Sequence, residues 1–247
     1  MLKVKYVFFA ILTSLVLTAC VNIAQSVLPK GELVVLSHGL GRSDTAVWRL
    51  EDKLEQAGFE VCSIDYDTIG ESVEHVLTQA NSEIENCIKT SNRIHLVGHS
   101  LGGLVIKHYL ATHSDFASLH NLGEVVMVGT PNKGSEVADK LANHMVMNFD
   151  GGIDKALMTG EQTLGNQIPE PSVAVGVIAG TSNSGSTLQY FSGPNDGLVS
   201  VESAKFDNMK DFISLDVSHS AMRYNEEVAS QIIHFINKGL FKKSDQS

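Results

Sequence analysis

Positive charge is scarce in this sequence: 18 lysines and arginines stand against 28 aspartates and glutamates in 247 residues, a formal net charge of −10. The phosphates of a nucleic acid reward a basic face, so the balance speaks against a nucleic-acid partner. Like charges form no long run, and the acidic excess serves to keep the surface soluble. A bilayer-spanning run is also missing. The apolar stretch at the N-terminus, Tyr6 to Ala19, has 14 residues, whereas a spanning helix needs about 20. There is no G-x-x-x-x-G-K-[ST] phosphate loop, and "GLG" at 39–41 is too short for a dinucleotide fingerprint. "HLVGH" has the histidine spacing of zinc proteases, but Leu96 stands where the glutamate belongs and the segment reads as strand and turn. Neither a metal nor a cofactor is expected.

The composition that remains, 43% hydrophobic and 19% charged, is that of one sizeable globular domain. Lys3 and Lys5 precede the apolar stretch, and "LTAC" follows it. This order resembles a bacterial lipoprotein signal, with residues 1–19 removed and Cys20 lipidated; a plain cleaved signal, or a short anchor, with an incidental cysteine is the alternative. Val21 after the cysteine, by resemblance to enterobacterial lipoproteins, favours outer-membrane sorting toward the periplasm. Residues 20–31 read as a tether with a reach of about 35 Å at ~3.3 Å per residue. Only Cys62 and Cys87 remain, and an oxidising envelope permits either a bridge between them or two separate buried thiols.

Six apolar runs alternate with helical patterns: "ELVVLS", "FEVCSID", "RIHLVG", "GEVVMVGT", "VAVGVIAG" and "DFISLDV". Uninterrupted apolar strands between helices imply a mostly parallel six-stranded sheet covered on both faces. The expected organisation is a catalytic domain over residues 32–240, a short lid-like insertion at 141–172 and a polar tail at 241–247. Such sheets carry their chemistry in loops beyond the carboxyl ends of the strands.

One such loop contains "GHSLG", Gly98 to Gly102, between an apolar strand and a helix. This is the context of a nucleophile elbow, whose sharp turn demands small residues two places either side of the serine; Gly98 and Gly102 meet that demand around His99, Ser100 and Leu101. A serine hydroxyl needs a base. Of the ten histidines, only His219 in "DVSHSAM" lies after the last strand and before the closing helix. An acid must hold that base, and Asp196 in "GPNDGLVS" leads Glu202, Asp207, Asp211 and Asp216, because its loop follows the fifth strand. The N–H groups of Leu101 and of Leu40, in "HGLG", are the candidate oxyanion donors.

In these motifs the chain resembles the α/β-hydrolase superfamily, in particular small bacterial lipase/esterase-like members related to GPI inositol-deacylase-type lipases. "LSHGLG", "VGHSLGG", "VGTPNKGSEVAD", "GPNDGLVSVESAK" and "SHSAM" occur in the expected order between Leu33 and Gly239. The resemblance maps nucleophile, acid and base onto Ser100, Asp196 and His219, and the oxyanion hole onto Leu40 and Leu101. It implies hydrolysis of small-molecule or lipid esters at a cell envelope, reached through the lipidated Cys20. Esterase, lipase, thioesterase and acyltransferase share this machinery. A non-catalytic lipoprotein using the fold as a binding module would be marked by a missing triad member, and none is missing.

Overall fold

The computed structural model describes residues 31–89, 93–119, 121–144 and 152–243. The expected signal, Cys20 and the tether up to residue 30 lie outside the described residues, as do positions 145–151 of the expected insertion. The elements run β1 (Glu32–Ser37), α1 (Trp48–Gln56), β2 (Glu60–Ile64), α2 (Val73–Ile88), β3 (Arg93–His99), α3 (Leu101–Thr112), α4 (Phe116–Leu119), β4 (Leu122–Val128), α5 (Glu136–His144), α6 (Leu164–Gln167), β5 (Val175–Gly180), α7 (Val201–Ala204), β6 (Asp211–Leu215) and α8 (Glu226–Lys238).

The six strands form one sheet in the order β2-β1-β3-β4-β5-β6, and every pairing is parallel. The mostly parallel sheet expected from the sequence is thus wholly parallel among the described strands. The inner strands are largely apolar because their two sides enter different cores. Leu33 and Val35 of β1 pack with the α2 and α3 face, while Val34 and Leu36 pack with α1 and α8. Val125 and Met127 of β4 divide from Val126 and Val128 in the same way. Where α8 approaches closest, β5 has Gly176; a Cβ there would stand 2.5 Å from the Phe235 ring.

Local signals set the helix ends. The Ser72 side chain accepts from His75 N at the start of α2, and the Asn225 side chain accepts from Glu227 N and Val228 N at the start of α8. Gly239 ends α8 at φ 72°. The polar tail begins later than residue 241: Phe241 is buried, packs against Phe235 with ring centroids 4.7 Å apart and the rings tilted by 38°, and donates its N–H to Asp211. An aromatic side chain within reach of the α8 core packs there even when lysines follow it.

Cys62 of β2 and Cys87 of α2 are joined in a disulfide, with Cα atoms 6.0 Å apart. Of the two readings open from the sequence, the bridge is the one formed. No helix among the described residues is long and apolar enough to cross a membrane.

Candidate active site

Parallel strands end on the same edge of the sheet, so the loops after β1, β3, β5 and β6 converge there. The turn from β3 into α3 carries Ser100 at φ 58°, ψ −125°, the one non-glycine residue with positive φ among the described residues. A side chain in that region is strained and persists only where its surroundings enforce it. Here the enforcement is close packing. A Cβ on Gly98 would lie 2.5 Å from the Gly102 carbonyl, and one on Gly102 would lie 2.3 Å from Ser37 O. Glycine at both positions lets α3 begin directly behind the serine and against the end of β1.

Ser100 Oγ and His219 Nε2 are 2.9 Å apart, and His219 Nδ1 and Asp196 Oδ2 are 2.8 Å apart. His219 is 6% exposed and Asp196 2%. The Asp196 carboxylate has its second oxygen occupied: Oδ1 accepts from Leu198 N at 2.9 Å and Val199 N at 2.8 Å. Its own carbonyl accepts from His219 N at 2.9 Å, tying the two loops together. A carboxylate is acceptor-only, so Nδ1–H donates to Asp196 and the Nε2 lone pair faces the serine hydroxyl. Ser100, Asp196 and His219, expected from separate motifs, therefore form one hydrogen-bonded chain. The rival acids lie elsewhere: Glu202 pairs with Lys133, Asp211 pairs with Lys243, and Asp216 is exposed.

The "HGLG" loop passes over Ser100; a Cβ on Gly39 would lie 3.0 Å from the Ser100 Cβ. Its path is held from beneath. Tyr66 donates its hydroxyl to His38 O, the His38 and Tyr66 rings stack at 4.2 Å, and Gly41 N donates to Thr68 Oγ1 at 2.8 Å. Leu101 is the first residue of α3, where backbone N–H groups have no acceptor within the helix. Leu40 and Leu101 thus stand on the two loops that flank the serine hydroxyl.

His99 stands in the elbow, and the motif itself gives it no role. In the structure its Nε2–H donates to the carbonyl of His219 at 3.0 Å, bracing the loop of that residue from behind. Its Nδ1 is buried without a partner. Burial, then the nearby His219, hold its pKa well below the usual imidazole value, with the charges of Arg223 and Arg42 adding to the effect. His99 is therefore a neutral donor. No sequence signal pointed to Arg42, Arg223, Tyr66 or Thr68.

Beside the serine lies a cavity of about 200 Å³, mostly apolar, lined by Pro131, Val137, Leu157, Leu198, Val199 and Leu40 and by Arg42 and Arg223. Leu157 comes from the expected insertion, so the described part of that segment forms a wall of the cavity. No group of three or more His, Cys, Asp or Glu side chains that could hold a metal ion occurs among the described residues.

Residues 33–163 match the family model of palmitoyl protein thioesterase. The chain belongs to the palmitoyl protein thioesterase family. The matched span of this thioesterase family contains the loop after β1, the elbow and Pro131, Val137 and Leu157 of the cavity lining, while Asp196, Leu198, Val199 and His219 lie beyond it. No curated protein matches the chain. Among solved structures it is similar to the mature form of Bacillus licheniformis lipase BlEst2, with a TM-score of 0.66 and 19% identity over 85% of this chain and 92% of that one. A lipase-esterase related protein from Clostridium acetobutylicum aligns with a TM-score of 0.56 and 16% identity over 84% and 96% of the two chains. Tomato methylketone synthase I, complexed with 2-tridecanone, aligns with a TM-score of 0.57 and 14% identity over 85% and 99%. At these identities the likeness carries the fold, which is that of the α/β-hydrolases.

Proposed function

We propose that this thioesterase-family protein is a serine hydrolase that cleaves carboxylic esters through an acyl-enzyme. The observation that carries the reading is the buried hydrogen-bonded chain Asp196–His219–Ser100, ending on a strained serine beside an apolar cavity. In the acylation step Ser100 Oγ attacks the carbonyl carbon while His219 Nε2 takes its proton. The tetrahedral oxyanion is held by the N–H groups of Leu40 and Leu101. Asp196 holds the imidazole tautomer and stabilises the imidazolium. Collapse expels the alcohol, which receives the proton from His219. Water, deprotonated by His219, then attacks the acyl-serine and releases the acid.

The family match brings thioesters within the same reading, since a thiolate leaves by the same step. The apolar wall formed by Pro131, Val137, Leu157, Leu198 and Val199 suits an acyl chain. The setting proposed is the bacterial envelope, with Cys20 lipidated and the domain facing the periplasm from the outer membrane. The Cys62–Cys87 disulfide supports an oxidising compartment. Cys20→Ser with membrane fractionation tests the anchor, and retention of the variant in membranes would overturn it.

The activity is tested by hydrolysis of p-nitrophenyl esters from acetyl to palmitoyl, with Ser100→Ala and a fluorophosphonate probe alongside. Hydrolysis and labelling are expected in the wild type and lost in the variant. A folded wild-type protein that neither turns over any ester nor labels would refute the proposal. Matched acyl thioesters assayed beside the oxygen esters set the order of preference.

A further inference from the structure

The protein is acidic overall, yet among the described residues two arginines and one acid line the cavity of its candidate active site. Arg42 follows the β1 loop, and Arg223 lies in the 3₁₀ segment Ala221–Tyr224 just after His219. Both line the cavity that contains Ser100. The two segments meet, because Arg223 Nη1 donates to Ala46 O at 3.0 Å. Burial and then the neighbouring charge of Arg42 hold the Arg223 guanidinium below its usual pKa.

Among the described residues, neither arginine pairs with a carboxylate. The acids of the adjoining segment are engaged otherwise. Asp65 lies 3.4 Å from His38 Nε2 and accepts from Asp44 N, while the Asp44 carboxylate accepts from Thr45 N. Arg42 is exposed and Arg223 half-buried, and both open on the same cavity with N–H donors unspent. Two guanidinium groups lining one cavity suit a phosphate, which accepts several charge-assisted hydrogen bonds.

The strand order says which part of a substrate would meet them. Arg42 belongs to the segment after β1, and Arg223, although it follows the edge strand β6, reaches that segment through Ala46 O; Pro131, Leu198 and Val199 follow β4 and β5, across β3 and Ser100 from Arg42. The one acid lining the cavity, Asp154, is on the same segment as Leu157, so it repels an anion from the apolar wall. With the acyl chain against that wall, the alcohol side of the ester points to the arginines. The cavity is only about 200 Å³, so the anion must lie within a few bonds of the carbonyl.

We infer that Arg42 and Arg223 form a subsite for a phosphate on the alcohol side of the scissile ester, so that the substrate class is the acyl ester of a small phosphorylated alcohol, as in the glycerophosphate of a lysophospholipid. The inference rests on the serine-hydrolase reading above. It predicts a phosphate close to the ester, in contrast to one at the far end of a long arm such as phosphopantetheine.

The test compares kcat/KM for 1-octanoyl-glycerol-3-phosphate with that for 1-octanoylglycerol, both monomeric, so that surface adsorption plays no part. The expected preference for the phosphorylated ester is about tenfold or more, falling as salt rises. Arg42→Gln and Arg223→Gln should each reduce the ratio about three- to tenfold, and the double variant should bring it near one. Lys238→Gln, an equal change of net charge on exposed α8 surface, should leave the ratio unaltered. Arg42 is exposed, so its variant reports on the subsite even where Arg223→Gln perturbs folding.

A wild-type ratio near one, or a ratio that survives loss of Arg42 and Arg223, overturns the inference while p-nitrophenyl ester turnover leaves the hydrolase reading standing. A preference for S-octanoyl-4′-phosphopantetheine over its dephosphorylated form, without one for the glycerophosphate, also overturns it. A folded protein inactive on every ester, p-nitrophenyl esters included, removes both.

Discussion

The elbow offers the sharpest test of how sequence enforces geometry here. Gly102→Ala adds a single methyl group to the first turn of α3. That Cβ would stand 2.3 Å from Ser37 O, 2.6 Å from His38 O and 2.7 Å from Ser37 C, all of them backbone atoms at the end of β1. Ordinary van der Waals contact needs about 1 Å more, and no side-chain rotation relieves a clash with backbone. Either α3 or the end of β1 must move, and both are anchored in closely packed cores. Overpacking of this kind costs about 1–3 kcal/mol, and a clash with backbone belongs at the upper end. For a domain of this size, 2–3 kcal/mol lowers Tm by about 4–12 °C. The displaced strand end also carries His38, Gly39 and Leu40, so the rate of fluorophosphonate labelling should fall with stability. Gly193→Ala, where a Cβ meets nothing within 4 Å, is the control and should stay within about 0.5 kcal/mol of wild type. Urea unfolding and labelling kinetics report the two quantities. A Gly102→Ala protein with wild-type midpoint and labelling rate would refute the close-packing account of the elbow.

Asp196→Asn keeps an oxygen for Leu198 N and Val199 N but places N–H donors toward His219 Nδ1, favouring the tautomer that carries its proton on Nε2. The expected result is a kcat lower by about three to four orders of magnitude with the fold intact by circular dichroism; a loss below tenfold would contradict the role given to this carboxylate. The disulfide closes a loop with a sequence separation of 25, which the chain-entropy relation converts to about 3.5 kcal/mol. Cys62→Ser should therefore lower the Tm of the oxidised protein by roughly 7–14 °C, and dithiothreitol should lower the wild type comparably. Burial lowers the pKa of His38, His95 and His99. Their contribution to stability is fully present above the unfolded value near 6.5 and is lost as pH falls through that value toward the folded one, at up to about 1.4 kcal/mol per pH unit for each. Urea midpoints should fall between pH 7.5 and 5.5, and a flat profile would show that these rings are not held neutral.

Legibility divided along physical lines. The six strands were readable because a parallel sheet buried on both faces writes each strand as a continuous apolar run, and the observed elements fall on those runs within a few residues. The elbow was readable because backbone crowding allows only glycine at 98 and 102, which leaves a local mark in the sequence. Cys62 and Cys87 gave no such mark. Their pairing depends on how α2 packs against β2, a tertiary distance that neither position records. Phe241 was misplaced for a related reason: the lysines after it set the local character, whereas the core beneath α8 decides its burial.

The arginines extend this contrast. A nucleophile elbow is written in one pentapeptide because the crowding falls on its own two glycines, at Gly98 from the turn itself and at Gly102 from the end of β1. Arg42 and Arg223 come from opposite ends of the described chain, and each alone reads as one more surface cation in a sequence of solvated charges. What distinguishes them is that the segment after His219, although it follows the edge strand β6, reaches back to the segment after β1 through the bond from Arg223 to Ala46 O, and that the neighbouring carboxylates of Asp65 and Asp44 are engaged by His38, Asp44 N and Thr45 N. Specificity for the leaving group is therefore encoded in tertiary juxtaposition, whereas the chemistry is encoded in motif. The two should respond differently to mutation: changes at Ser100, Asp196 or His219 should abolish turnover of every ester alike, while changes at Arg42 and Arg223 should reorder the substrates.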